Sequence, residues 1–364
     1  MFTPIVRDLP ATVPFVGPET QERTRGRKFR ARIGANESVF GPSPKAVAAM
    51  RRAAAGAWMY CDPENHDLKI ALARHHGVGP ENIVVGEGID ALLGYIVRMT
   101  VEPGSAVVTS LGAYPTFNFH IAGHGGHLAT VPYVADREDP EALLAAARRE
   151  RPRLVYIANP DNPMGTWVGA SELEVLIDGL PEGTLLLLDE AYSDTAPADA
   201  IPPIDVTNPG VLRLRTFSKA YGLAGARIGY AIGAADVIRS FDKIRNHFGV
   251  NRIAQAGALA ALADQAYLRA TVGRIAAARD EIERIAAANG LKALTSATNF
   301  VAIDCGGGGA FARRVLQQLI AHDVFVRMPG VAPLDRCIRV SAGTAADLAV
   351  LAEALPAALK AAAE

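Results

Sequence analysis

The spacing of hydrophobic and polar positions changes several times along the chain, and the changes mark its elements. Four short apolar runs, Ile83-Val84-Val85, Ala106-Val107-Val108-Thr109, Leu154-Val155-Tyr156-Ile157 and Leu185-Leu186-Leu187-Leu188, lack the polar alternation of a half-exposed strand. Strands buried on both faces read this way. Helical spacing separates them, near 89–100, 141–150 and 171–179, and further strand-like runs follow at 211–216 and 228–232. Apolar strands alternating with amphipathic helices predict an α/β fold whose mostly parallel sheet is covered on both faces.

The flanking regions read differently. Residues 1 to about 33 are rich in proline and arginine and form an arm. Its cluster of Arg23, Arg25, Arg27, Lys28, Arg30 and Arg32 suits a solvated or partner-packed face better than a steering surface for an anion. Ser43-Pro44 predicts a helix from about Lys45, and another is expected near 67–76. From about 251 to 289 the chain is alanine-rich and helical, long enough to connect two domains. Strands at 300–304, 324–327 and 337–341 and a helix near 310–321 then predict a smaller α+β domain. Thr344, with Asp347 three residues on, is an N-cap signal for a last helix containing Pro356. The expected division is 1–44 as arm and part of the small domain, 45–250 as the large domain, 251–289 as connecting helix, and 290–364 as the small C-terminal domain.

Composition narrows the function. The chain has 364 residues, half of them hydrophobic, with 37 basic against 38 acidic side chains. A core of that size is globular, and a net charge of -1 gives no reason to expect nucleic acid or an anionic membrane. Cys61, Cys305 and Cys337 are far apart and suggest neither a disulfide framework nor a thiolate metal site. His120, His124 and His127 have a spacing that zinc uses, but no carboxylate or cysteine stands near them in sequence and Gly125-Gly126 breaks the helix, so no metal is expected. With no leader-like or membrane-spanning run, small soluble substrates and a cytoplasmic location are the expectation.

The chemistry centres on Arg215-Thr216-Phe217-Ser218-Lys219-Ala220-Tyr221-Gly222, with Arg227 eight residues after the lysine. A lysine in a confined site loses part of its charge and becomes a nucleophile able to form an imine. Thr216, Ser218 and Arg227 are donors suited to a phosphate beside it. Gly86-Glu87-Gly88-Ile89-Asp90-Ala91 follows a strand and opens a helix. The acidic residue of a dinucleotide site is missing from the next strand end, which leaves a helix N-terminus whose free N–H groups suit a phosphate. Asp189 ends the most apolar strand, where open α/β sheets bind ligands; helix capping is the plainer alternative. Asn162 and Tyr114 follow other strands, with turn chemistry and plain packing as their alternatives; Arg339 on a strand is a fork of donors for a planar anion, or a half-exposed edge-strand arginine.

Taken together these motifs resemble the class I/II aminotransferases of the fold-type-I pyridoxal-phosphate superfamily, most closely the histidinol-phosphate aminotransferase branch. The resemblance rests on Ser218-Lys219 with Arg227, Asp189-Glu190-Ala191-Tyr192, Asn162-Pro163, and Arg339 followed by Ser341-Ala342-Gly343-Thr344. It implies a three-layer αβα large domain that binds pyridoxal 5'-phosphate, and a smaller α+β domain. It also implies that Lys219 holds the cofactor as an internal aldimine and then moves the Cα proton. Asp189 would pair with the ring nitrogen, Tyr192 and Asn162 with the phenolic oxygen, and Tyr114 would stack on the ring. Gly88, Ile89, Asp90, Thr216, Ser218 and Arg227 would hold the phosphate, joined by Tyr60 from a neighbouring subunit of a homodimer. Arg339, Arg327 and Asn36 would face the substrate, an amino acid or amino alcohol phosphate exchanging its amino group with a 2-oxo acid. A lyase, decarboxylase or cyclase using the same cofactor is the alternative. The family usually has threonine at Met164, an acidic residue at Ala91 in many members, and Pro-Phe-Asn-Val-Asn where this chain reads Asn246 to Arg252. There Arg252 is a candidate for an extra anion contact.

Overall fold

The structure is a computed structural model and describes residues 1–11 and 15–364, so residues 12–14 of the arm lie outside the described residues. The apolar runs assemble into a seven-stranded sheet. Its strands lie in the order Ile83–Gly86, Gly229–Gly233, Val211–Thr216, Leu185–Asp189, Leu154–Ala158, Ala106–Ser110 and His127–Val131. All neighbouring pairs are parallel except the two made by Gly229–Gly233. Leu186, Leu187 and Leu188 are fully buried, each contributing about 1.5–3 kcal/mol by leaving water. Their side chains feed different cores: Leu187 packs with Leu92, Ile96 and Phe117, while Leu186 and Leu188 pack with Leu143, Leu173 and Leu176. The sheet is therefore a middle layer with helices on both faces.

Several elements carry no clear signal in the sequence, two of them beside the sheet's edge. Pro115–Gly123 is a helix and His127–Val131 is an edge strand, paired in parallel with Ala106–Ser110. The edge strand is largely solvent-facing and holds a histidine and a threonine, so it lacks the apolar run that marks its buried neighbours. The arm is also more ordered than expected, with helices Pro4–Asp8 and Pro18–Arg25 and a strand, Ala31–Arg32, paired with Val324–Phe325. Its basic residues are largely spent on partners: Arg25 and Arg27 on Asp323, Lys28 on Glu22, Arg30 on Glu353 and Arg32 on Glu19.

The alanine-rich stretch is two helices, Arg252–Ala263 and Gln265–Ala288, that meet at Asp264. Beyond it, Phe300–Asp304 pairs antiparallel with Cys337–Ser341 and with Lys292–Ala293. The Thr344 cap forms as a reciprocal box: Asp347 N–H donates to Thr344 Oγ1 at 3.3 Å and Thr344 N–H to Asp347 Oδ2 at 2.8 Å. The helix it opens runs through Pro356 to Ala363.

Candidate active site

The strand ends carry most of the predicted site residues to one edge of the sheet. Asp189 and Thr216 are the last residues of adjacent parallel strands. Phe217, fully buried, anchors the turn that follows, and Ser218 N–H donates to Thr216 Oγ1 at 3.1 Å. Gly222 N–H closes on the Lys219 carbonyl at 3.0 Å, so the lysine stands on a tight turn with a buried base. The Ile89–Thr100 helix arrives from the far strand with Gly88 at its N-cap, φ 85°, a conformation that favours glycine. A side chain at Gly88 would also come within 2.6 Å of the Arg227 guanidinium. Gly229 lets this terminus approach the sheet, since a Cβ there would sit 3.1 Å from Ile89 N.

These elements enclose a cavity of about 340 Å³, within the range of small-ligand sites. Its walls include Ile89, Asp90, Tyr114, Asn162, Asp189, Tyr192, Thr216, Ser218, Lys219 and Arg227. Lys219 Nζ lies 3.4 Å from the carbonyl oxygen of Asn36 and 5.5 Å from the centre of the Tyr192 ring. Burial pulls its pKa down to about 8; Arg339 adds to the fall and Asp189 partly offsets it. Asp189 moves the other way, up to about 6, because burial outweighs the hydrogen bonds it accepts from Tyr156 Oη at 2.7 Å and Ala191 N–H at 3.0 Å.

Asn36 and Arg339 reach the site through its walls. Asn36, buried with φ 55°, donates from Nδ2 to Tyr192 Oη at 3.0 Å, and its own N–H donates to Ser341 Oγ at 2.9 Å. Arg339 donates from Nη1 to Asn162 Oδ1 at 2.6 Å, while its Nε has no hydrogen-bond partner among the described residues. Burial lowers its pKa to about 10, and the charge on Arg327 adds to the fall. Arg327 and Arg339 face each other across an antiparallel bridge. Arg327 lies over the Phe15 ring at 5.1 Å and donates to the Val16 carbonyl at 3.0 Å. Phe15 in turn stacks near Tyr114 at 6.4 Å.

Tyr60 is the predicted residue that stands apart. It is 78% exposed, packs on Phe248 at 4.7 Å, and its carbonyl accepts from Arg252 Nη2 at 2.6 Å. Tyr156, by contrast, belongs to the site and was not singled out. The available signal was a phenol inside a strand of aliphatic residues, since a buried tyrosine hydroxyl needs a partner. Asp161 is a second buried group of this site that no local motif marks. It accepts from Tyr133 Oη at 2.8 Å and Met164 N–H at 2.9 Å, fixing the loop that carries Asn162, and burial raises its pKa to about 7.

Comparison with known proteins shows the family. Residues 32–355 match the family described as aminotransferase class I and II. The chain belongs to that family. A solved structure of histidinol-phosphate aminotransferase from Sinorhizobium meliloti, in complex with pyridoxal-5'-phosphate, is 59% identical with a TM-score of 0.96, covering 99% of this chain and 97% of that one. Histidinol-phosphate aminotransferase from Moorella thermoacetica is 35% identical over 336 residues, 91% of this chain and 86% of the relative. Aspartate aminotransferase from Thermus thermophilus, solved with maleate, shares the fold at 24% identity and a TM-score of 0.83, covering 99% of this chain and all of that one.

The coenzyme of these aminotransferases is pyridoxal 5'-phosphate, and the residues present fit it. A reactive amine, a buried carboxylate and a donor-rich helix terminus surround one cavity of adequate size. The donor set matches the group's aldehyde, ring nitrogen and phosphate in turn.

Proposed function

We propose that this aminotransferase exchanges the amino group of histidinol phosphate with a 2-oxo acid, and that Lys219 is both the covalent anchor of the cofactor and the proton carrier. The observation that carries the reading is one partly desolvated amine, Lys219 Nζ, within the fields of Asp189, Arg227 and Arg339 at a single cavity. Pyridoxal 5'-phosphate, when bound, supplies an aldehyde that condenses with amines and a ring that takes up the electron pair left at Cα. Asp189 would keep a proton on the ring nitrogen. Lys219, with its pKa drawn to about 8, is matched to removing the Cα proton near neutral pH and returning it at the C4' carbon. Tyr192 and Asn162 would hydrogen-bond the ring's oxygen, Tyr114 would stack on the ring, and Thr216, Ser218, Arg227 and the N–H groups at Gly88, Ile89 and Asp90 would hold the phosphate.

The substrate assignment is supported by the names of the relatives and by the arginine pair. Residues directly opposite in an antiparallel pair share a face, so Arg327 and Arg339 present two guanidinium groups together. That suits a phosphate dianion, or the carboxylate of the 2-oxo acid in the return half-reaction, better than one arginine alone. Asn36 fixes Tyr192 at the same end. We further propose a cytoplasmic homodimer with Tyr60 entering the partner's site. Trp58 is 83% exposed beside Met59, Tyr60 and Phe248, an apolar patch of the kind that other subunits cover. Among the described residues no helix is long and apolar enough to cross a membrane. The division at residues 44, 250 and 289 belongs to the same proposal.

A donor screen tests the reaction. Purified protein loaded with cofactor is mixed with histidinol phosphate, glutamate, and aromatic or basic amino acids, and the loss of the cofactor–lysine absorbance is followed. Histidinol phosphate is expected to be the best donor. If it alone fails, the substrate assignment is wrong while the aminotransferase assignment stands. Sedimentation of the native protein as a monomer would remove the dimer.

A further inference from the structure

Asp90 poses a problem for the phosphate site. It lines the cavity in the first turn of the Ile89–Thr100 helix, next to the N–H groups that receive the cofactor's phosphate. Alone, a carboxylate suits that end of the helix dipole. Beside a bound dianion it repels, and a free aspartate side chain also competes as acceptor for the same N–H groups. Its charge does reach the cavity: burial raises the pKa of the Tyr114 phenol, and Asp90 adds to the rise.

The structure occupies this carboxylate elsewhere. Asp90 Oδ1 lies 2.9 Å from Nε2 of His120, on the Pro115–Gly123 helix that packs alongside. The backbone of His120 is tied in turn, its carbonyl accepting from His124 Nδ1 at 3.0 Å. The ring lies against Gly94, where a Cβ would come within 3.0 Å of its Cε1 atom. Glycine in the middle of a helix weakens it. At Gly94 it leaves the space the imidazole needs to reach Asp90.

We propose that His120 is a positioning residue for the cofactor: by donating Nε2–H to Asp90 it holds that carboxylate aside and leaves the N–H groups at Gly88, Ile89 and Asp90 free for the phosphate. The inference rests on the reading that the phosphate sits at this helix terminus. Gly94 belongs to the same device, because any larger residue would displace the ring.

The test is the dissociation constant of pyridoxal 5'-phosphate from the cofactor-free protein, read by absorbance titration, for wild type, His120→Phe, His120→Gln, Asp90→Asn and the double variant His120→Phe/Asp90→Asn. Thermal melting of each cofactor-free protein checks folding. His120→Phe is expected to weaken binding about three- to tenfold, the range of a half-exposed hydrogen bond to a carboxylate at a helix end. His120→Gln, which keeps a donor, should recover most of the loss. In the Asp90→Asn background, His120→Phe should change nothing. Wild-type affinity in His120→Phe overturns the proposal, as does an equal loss in both backgrounds, which would mean that the ring only packs. Thr216→Val and Arg227→Gln separate the underlying reading: if both leave cofactor affinity unchanged, the phosphate lies elsewhere and the two fall together.

Discussion

Two groups of cations lie inside this protein, and the chain treats them oppositely. Arg213 and Arg215 flank Glu190, donating to its carboxylate at 2.5 Å from Arg213 Nη2 and 2.8 Å from Arg215 Nε. The remaining Arg213 donors reach the carbonyls of Pro202 at 2.7 Å and Pro203 at 2.8 Å. Burial works against the charge on Arg215, but the Glu190 carboxylate reverses the effect and raises its pKa. Glu190 likewise stays below its ordinary value in spite of burial, held there by Arg215 and Arg213. Among the described residues, Lys219 and Arg339 have no such partner. One bonds a neutral carbonyl and the other a neutral amide, and burial pulls both pKa values down. A buried charge satisfied by its own chain is framework, whereas one left with neutral neighbours marks where a ligand completes the set.

The largest effect expected from this contrast is at Lys219. Lys219→Ala should lower turnover by about 10³-fold or more. Borohydride reduction followed by peptide mass spectrometry should find no cofactor label on the variant and a label at residue 219 in wild type. Retained turnover would place the anchor elsewhere.

Next come the two kinds of arginine, which should fail in opposite ways. Arg339→Gln should cut kcat/KM about 100- to 1000-fold, as expected when a buried charged donor to a substrate anion is lost. The melting temperature of the cofactor-free protein should hold or rise. Arg213→Gln leaves Glu190 with a broken pair and should destabilise by about 3–5 kcal/mol, seen in urea unfolding, with little change in KM. If both variants lose stability alike, the division between framework and site charges fails.

A smaller effect is the pH dependence set by Lys219. In the folded protein its pKa is lowered to about 8 from 10.5, so between those values the unfolded chain binds more protons than the folded one. Stability of the cofactor-free protein should therefore rise with pH across that window, by on the order of 2 kcal/mol. Lys219→Met should abolish the rise and be the more stable protein at pH 7. Urea titrations at pH 7 and pH 10 measure both. Asp189 has the opposite sign: its raised pKa makes stability fall as pH climbs from about 4 towards 6. The smallest effect is expected of Tyr156→Phe, which removes one hydrogen bond to Asp189. It should slow turnover several-fold, in line with about 1 kcal/mol, and push the Asp189 pKa higher.

The sequence carried more of the framework than of the site's interior. Four apolar runs and their intervening helices were legible because burial on both faces leaves an unbroken apolar signature, and Thr344–Asp347 because a cap is local chemistry. His127–Val131 was missed because an edge strand half in solvent has no such signature. Lys219, Asp189 and Arg227 were found because each sits in a motif at a strand end. Tyr156 and the His120–Asp90 pair were not: their partners lie 33 and 30 residues away, and the meaning of each depends on what packs against it.

By itself, then, the sequence determined which residue types could do chemistry and which strands would be buried, because both depend on local composition and period. Only the tertiary structure decided which charges are paired. Arg213, Arg215 and Arg339 look alike in the chain, and each lies on a buried strand. The first two meet Glu190 across neighbouring strands, while Arg339 meets an amide. Desolvation depends on all the atoms that surround a charge, and those atoms come from distant parts of the sequence.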